Sequence, residues 1–319
     1  MIRFISWAVC LLAASGLACA QSYPNRPVRV IFPFAAGGAG NIIAEAYGRK
    51  FTEKFGQNWV IDNRGGAGST LGTNLVAKAS PDGYTLLMGS MTFAVSAATF
   101  SKLPYDAVRD FSPITPVGMA VSILAVTPSL PAKNLKELVA VAKAKPGELS
   151  FASGGGVGST GHLTGELFMR MTGIKMLHVS YKGTGLALPD LLSGRVHMVF
   201  EPIASMLPNV RAGRMRALGV TTAKRSGAAP EIPSLAEQGL TGFDVATWYG
   251  FLAPAGTPKP IIDTLYCALA EFVADPAVKE RMAGIGVEPM TLSPDQFAAR
   301  IKSDLARWGE VARAAGVRL

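Results

Sequence analysis

The chain has 319 residues, 49% of them hydrophobic and 17% charged, with a formal net charge of +9. That length exceeds one typical domain, and the composition excludes a disordered chain because enough apolar surface is present to build sizeable cores. Lysine and arginine are scattered, with no run of four and no interleaved aromatics, which excludes a nucleic-acid surface and leaves a general attraction for anions.

The N-terminus reads Met1-Ile2-Arg3, carries no charge from Phe4 to Ala20, and ends in Ala18-Cys19-Ala20 before the polar Gln21 and Ser22. A basic start, an apolar middle and a small-x-small site predict a secretory signal peptide over residues 1–20, cleaved after Ala20. Ser6, Ser15 and Gly16 argue against a retained anchor, and Gly16 also argues against a lipoprotein site at Cys19. Cleavage removes Cys10 and Cys19 and leaves Cys267 alone, so no internal disulfide is expected. Cys267 falls in an apolar helical pattern over 261–272 and is expected to be a buried small hydrophobe.

Val28–Phe32 reads as a β-branched strand, 33–40 as a glycine-rich turn, and Asn41 as the N-cap of an amphipathic helix. A strand, a loop of small residues and a helix N-terminus form a cradle for an anion, since backbone N–H groups there lack partners and the helix dipole favours negative charge. A second strand is predicted at 59–62, then a glycine loop over 65–70 and a helix carrying Leu71, Leu75 and Val76, then a strand at 84–88. The uncharged runs 84–101 and 114–132 contain Gly89, Ser90, Pro116, Pro128 and Pro131, and fit core strands and turns better than membrane spans. Residues 114–126 form an apolar strand pattern long enough to pass from one sheet to another.

The same grammar restarts with a helix over Leu135–Ala144, a strand at 149–153, the loop 154–158, and a helix capped by Ser159 or Thr160 that carries Leu163, Leu167 and Met171. A strand at 176–181, the loop 182–185, a short helix at 186–192 and a strand at 196–200 follow. A second extended apolar segment at 243–251 precedes helices at 261–272, 276–282 and 294–311. Alternating strands and helices argue for parallel, doubly wound sheets. If 121–126 enters a second lobe and 246–251 leaves it, the C-terminal helices pack back on the first lobe, and a ligand cleft lies between facing strand-end loops.

The loops 35–41, 65–70, 154–160 and 182–185 are all placed to face that cleft. Gly156, Gly158 and Gly161 make a formal G-x-G-x-x-G, but Tyr181 and Lys182 stand where a dinucleotide fold needs an acidic residue, so no nucleotide cofactor is expected. His162, His178 and His197 show no metal spacing, and no metal is expected. His162, in the first turn of the second capped helix, either donates to a ligand carboxylate or ties down the loop. The string Val157-Gly158-Ser159-Thr160-Gly161 lacks the first glycine of a nucleophile elbow, so a secreted hydrolase using Ser159 is the alternative without support from a base or an acid. Glu201 and Asp190 are isolated carboxylates with no acid/base spacing.

Several motifs together resemble the Bug family, the periplasmic solute receptors of tripartite tricarboxylate transporters. They are Tyr23-Pro24-x-x-Pro27, the loop from Phe34 to Asn41, Asn63-Arg64-x-Gly66-Ala67-Gly68, Pro81-Asp82-Gly83-Tyr84-Thr85-Leu86, Leu103-Pro104-Tyr105-Asp106 with Asp110-Phe111, Ser180-Tyr181-Lys182-Gly183, and Trp248-Tyr249-Gly250 with Ala253-Pro254-Ala255-Gly256-Thr257-Pro258. The resemblance covers nearly the whole chain after residue 20, in order. It implies an α/β, two-lobed type II periplasmic-binding-protein fold, each lobe a doubly wound sheet, with two crossover strands forming the hinge. The expected lobes are 21–123 with 248–319, and 124–247. It also implies a monomeric, non-enzymatic periplasmic receptor for a small carboxylate, a di- or tricarboxylate or an aromatic acid. Delivery to a two-component membrane permease is implied, with a sensing role toward a membrane signalling partner as the alternative.

By the same resemblance, Phe34, Ala35, Gly37 and Gly38 in one lobe, and Ser153, Gly155, Gly156, Ser159 and Thr160 in the other, form two clamps on one ligand carboxylate, partly through water. Ser90, Thr92 and Thr184 are expected wall positions, with His162 at the second clamp. Two positions depart from the family pattern: Asn41 stands where relatives usually carry Asp, and Glu201 where Asp or a small residue is usual. Asn41 does not neutralise an ammonium group, so an amino-acid ligand is disfavoured unless Glu201 takes that role.

Overall fold

The computed structural model describes residues 23–34, 36, 39–181 and 183–319. The expected signal peptide and the expected ligand residues Ala35, Gly37 and Gly38 lie outside the described residues. Strand β1 (Val28–Phe32) alternates its side chains, sending Val28, Val30 and Phe32 into one core and Ile31 into another. Helix α1 (Ala39–Phe55) covers the first of these cores with Ile43, Ala44, Tyr47 and Phe51, one face of a 3.6-residue period. Strands β2 (Trp59–Asn63) and β3 (Thr85–Ser90) flank β1 in parallel, so the carboxyl ends of β1 and β3 share one edge.

Helix α2 (Thr70–Ala77) follows β2 but buries only Val76 of the three apolar residues it is expected to carry. Thr70, Gly72, Thr73 and Val76 are buried while Leu71 and Leu75 are 54% and 41% exposed. The backbone approaches closely at Gly72, where a Cβ would stand 2.7 Å from the Arg64 carbonyl, and that contact turns the leucines outward. Helix α3 (Met91–Thr99) was not anticipated in the uncharged run after β3. Ser90 caps it by accepting from the Thr92 N–H at 3.3 Å, and Ser96 and Thr99 turn their hydroxyls back to backbone carbonyls.

Strand β4 (Phe111–Val126) is buried on both faces, with Ile123 and Ala125 in one cluster and Leu124 and Val126 in another. Pro113 and Pro116 are tolerated because the ladder breaks register beside each of them. The second half carries α4 (Leu135–Ala144), β5 (Ser150–Ser153), α5 (Thr160–Thr172), β6 (Leu177–Ser180), α6 (Thr184–Ser193), β7 (Met198–Pro202), α7 (Ile203–Arg211) and β8 (Arg216–Val220). Strand β9 (Ala246–Pro254) then returns antiparallel to β3 and β4. Helices α8 (Lys259–Ala274) and α9 (Pro276–Gly284), the short β10 (Val287–Glu288) and helix α10 (Pro294–Ala314) complete the chain.

Among the described residues the strands run β2-β1-β3-β9-β4-β7-β5-β6, with β8 and β10 also on β4. Up to Val121, β4 pairs with β9; from Ser122 to Val126 it pairs with β7 and β8. The fold is α/β and two-lobed, one sheet on each side of that exchange. Helix α8 packs on α1 and β4, as expected of a helix returning to the first lobe. Helix α10 differs, because it packs on α3 and β4 and also on α5, where Arg170 pairs with Glu310.

Cys267 is exposed, contrary to expectation. In α8 the buried stripe is Ile262, Leu265, Ala268, Leu269, Phe272 and Val273, and position 267 falls on the other side of the helix. No described helix is long and apolar enough to cross a membrane.

Strand β9 is locked to α10 by Trp248, whose indole N–H donates to Asp304 Oδ2 at 2.9 Å while both groups are buried. Asp304→Ala leaves that N–H unpaired and is expected to cost about 1–3 kcal/mol in denaturant unfolding. Asp304→Asn keeps an acceptor and should recover most of the loss.

Candidate functional site

In the first lobe, the parallel order of β1 and β3 brings the N-termini of α1 and α3 to the same sheet edge. A cavity of about 230 Å³ opens there, lined by Phe32, Phe34, Ala39, Gly40, Ser90, Thr92, Thr247 and Tyr249. Gly40 is sandwiched in its wall. A Cβ at that position would stand 2.5 Å from the Phe32 ring and 2.9 Å from the Tyr249 ring. Expected residues Phe34, Ser90 and Thr92 therefore meet in one cavity, together with Phe32, Thr247 and Tyr249, which the sequence reading did not single out. The signal for the last two was the extended segment itself: Thr247 and Tyr249 are two apart on a strand and share a face.

Asn41 is not the N-cap of α1. The helix begins at Ala39, and Asn41 lies inside its first turn, buried. Its amide donates to Glu45 at 2.7 Å and its carbonyl accepts from Asn63 at 2.6 Å, so the side chain links the end of β2 to α1. Where an aspartate at this place would accept from Asn63 and repel Glu45, asparagine satisfies both neighbours.

In the second lobe, the loop after β5 is held by side chains from three elements. Ser159 caps α5, its hydroxyl accepting from the His162 N–H at 3.3 Å. Gly156 and Gly158 lie at φ 80 and 76, a left-handed region that favours glycine. The Gly158 N–H donates to His162 Nδ1 at 3.0 Å, which leaves the ring proton on Nε2, facing Glu166 Oε1 at 3.4 Å. His162 thus ties down the loop, the second of its two expected roles.

His178, also missed, stacks on His162 with ring centroids 3.8 Å apart and meets Ser153 Oγ at 2.7 Å, while the Ser153 hydroxyl donates to the Gly156 carbonyl at 3.1 Å. Burial, together with the adjacent His162, pushes His178 down to about 4 against the pull of Glu166. The ring is therefore neutral at pH 7.

Glu201, at the end of β7, is buried and fully engaged. Oε1 accepts the Gly154 N–H and Oε2 the Thr184 hydroxyl, each at 2.7 Å. Burial raises its pKa, and the two donors pull it back down. The carboxylate ties the β5 loop to the start of α6, which leaves Thr184 committed to it as well. Thr160 begins α5 and accepts at its carbonyl from Thr164, and Gly155 sits against Ser159, where a Cβ would stand 2.6 Å from the serine Cβ. The second-lobe residues Ser153, Gly155, Gly156, Ser159, Thr160, His162, Thr184 and Glu201 thus gather around one loop. That loop reaches the first lobe at Gly158, where a Cβ would lie 3.8 Å from Thr99 Oγ1 at the end of α3. Among the described residues no His, Cys, Asp and Glu cluster is arranged to hold a metal.

Residues 43–317 match the family described as the tripartite tricarboxylate transporter family receptor. The BugT protein of Bordetella pertussis is 36% identical over 324 aligned residues, covering 100% of this chain and 99% of that protein. A protein of R. palustris solved with adipate superposes with a TM-score of 0.80 at 35% identity, over 93% of this chain and 99% of that one. MatC of Rhodopseudomonas palustris, solved with malate, gives a TM-score of 0.74 at 30% identity over 91% and 99%.

Two outcomes follow from the second-lobe geometry. Glu201→Leu strands the Gly154 N–H and the Thr184 hydroxyl and should lower stability by about 1–3 kcal/mol, whereas Glu201→Gln accepts from one and donates to the other and should behave close to wild type in denaturant unfolding. His178 binds its proton more weakly folded than at its ordinary 6.5. Its contribution to stability is therefore full above pH 6.5 and is lost as pH falls toward 4. Unfolding free energies measured from pH 7.5 to 4.5 should decline less steeply in His178→Gln, which retains a donor to Ser153.

Proposed function

The chain belongs to the tripartite tricarboxylate transporter receptor family, and on that premise we propose that it is a non-catalytic periplasmic receptor that carries a small carboxylate to a two-component membrane permease. The observation that carries the ligand class is the first-lobe cavity. Two helix N-termini and four hydroxyl side chains, Ser90, Thr92, Thr247 and Tyr249, surround it, and no charged side chain is among its lining residues. Such a wall holds an anion through neutral dipoles, as helix N-termini do for phosphate and carboxylate groups. The adipate and malate held by the R. palustris relatives belong to the same chemical class.

The two clamps are assigned to Phe34, Ala35, Gly37 and Gly38 in one lobe and to Ser153, Gly155, Gly156, Ser159 and Thr160 in the other, with Ser90 and Thr92 as wall. His162, Thr184 and Glu201 shape the second clamp from behind. The lobes are assigned as 21–123 with 248–319, and 124–247; the exchange of partners along β4 at Val121 and the start of β9 at Ala246 support these limits. Export by removal of residues 1–20 is supported by their composition.

The non-catalytic reading is supported by Ser159. Its oxygen is turned to the helix it caps, and the Nδ1 of His162 in that helix's first turn is occupied by the Gly158 N–H. Among the described residues that hydroxyl makes no hydrogen bond to a general base.

The test is a thermal-shift panel of carboxylic acids on the purified chain. A ligand at about 100 times its dissociation constant adds roughly 2.7 kcal/mol, a rise of several degrees in melting temperature. Melting unchanged by every acid, in protein free of co-purified ligand, would overturn the reading.

A further inference from the structure

The end of the second lobe opposite the loop after β5 is a basic face. Strands β7 and β8 both run antiparallel to β4, and β5 runs parallel to β6 and β7. Four parallel strands therefore turn their amino ends the same way, with the carboxyl end of β4 beside them. The loops gathered there are 127–134, 145–149, 173–176, 194–197 and 212–215, and each carries a cation: Lys133, Lys145, Lys175, Arg195 and Arg214. The loop after β5 and the start of α6 lie at the other end of the same strands.

Hydrogen bonds join these loops side by side. The Gly147 N–H donates to the Lys175 carbonyl at 3.0 Å, the His197 N–H to the Ser150 carbonyl at 3.1 Å, and the Thr127 N–H to the His197 carbonyl at 2.9 Å. Arg216, at the head of β8, completes the row by donating to the Leu130 and Ala132 carbonyls at 3.2 and 2.8 Å.

Three acids at this end are already engaged. Glu148 pairs with Lys145 at 3.0 Å, and Asp190 accepts from Arg195 at 3.1 Å and from the Tyr181 hydroxyl at 2.7 Å. Glu137 accepts from the backbone N–H of Lys133 at 2.7 Å and from the Asn134 amide at 2.8 Å. Lys133, Lys175 and Arg214 are exposed and make no ion pair among the described residues, so positive potential is left over on the face. Leu177, at the head of the edge strand β6 and two residues from Lys175, is 60% exposed.

Cations set in separate loops meet an extended anionic surface together, whereas one acidic peptide segment would cross only some of them. We propose that this face of the second lobe docks on an anionic phospholipid bilayer. Lys133, Lys175 and Arg214 meet lipid phosphates, and Leu177 enters the interfacial layer between them. The loop after β5, at the other end of the lobe, stays clear of the lipid.

The test is sedimentation of the purified chain with phosphatidylcholine vesicles containing about 30% phosphatidylglycerol, and with pure phosphatidylcholine vesicles, at about 50 mM and about 300 mM salt. Binding is expected to the mixed vesicles at low salt, with loss at high salt and on pure phosphatidylcholine. The triple variant Lys133→Gln, Lys175→Gln, Arg214→Gln should bind the mixed vesicles about a hundredfold more weakly. Its melting temperature should match wild type, because all three side chains are exposed. Leu177→Ser should weaken binding severalfold, and unchanged binding overturns the insertion of the leucine. A control of equal net charge, Lys78→Gln, Lys102→Gln, Lys279→Gln, removes exposed cations of the first lobe and should bind like wild type. Equal weakening of both triple variants, or unchanged binding of the first, overturns the proposal, since the attraction then belongs to the whole chain's charge or to another face. Failure to sediment with the mixed vesicles at low salt also overturns it; capture of polyglutamate in that case assigns the face to an acidic protein partner instead.

Discussion

One strand serves two sheets. β4 spends Phe111–Val121 paired to β9 and Ser122–Val126 paired to β7 and β8, and both of its faces are buried along most of its length. A strand in that position has no solvent side, so its sequence is apolar throughout, and the two prolines it carries are confined to places where the ladder slips register. With β9 alongside, this strand sets the relation between the lobes. The placement of each lobe's strand-end loops relative to the other's is a consequence of the shared strand more than of any loop.

Neutral groups line the first-lobe cavity. Two helices, α1 and α3, aim their N-termini at the first-lobe cavity, and Ser159 caps a third at the start of α5. Donors of this kind are fixed in place by the helices that carry them, so binding an anion there requires little reorganisation. The charged and ionisable side chains beside the second loop act behind it. Glu201 fastens Gly154 to Thr184, and the stacked pair His162 and His178 fastens Gly158 and Ser153. Each is satisfied by the protein itself, and together they shape the loop.

Much of the local structure of the candidate site was legible from short-range pattern. Ser159 as a cap, the glycine turns at 156 and 158, and the strand ends at Phe32 and Ser153 all follow from short-range signals, whereas β3 runs on to Ser90, two residues past its expected end. Asn41 reads as a cap but stands third in its helix, because capping and first-turn positions share preferred residue types and only the contact with Asn63 from β2 separates them. Thr247, Tyr249 and His178 were missed for another reason. They lie in strands, where alternation says which residues share a face but not what that face meets.

The sequence by itself determined the alternation of strand, loop and helix, the capped helix starts, the apolar run that had to become a shared strand, and the resemblance to a family of receptors. Those are properties of short stretches and their order, and they are carried by propensity, spacing and turn chemistry. Only the tertiary structure decided which face of α2 is buried, that Cys267 is exposed, that Glu201 is consumed by Gly154 and Thr184, and that Tyr249 stands in the cavity wall. Each depends on a neighbour from a distant part of the chain. A side chain's role at such a place is set by which partner's hydrogen bonds and surfaces remain unfilled once the sheets have come together.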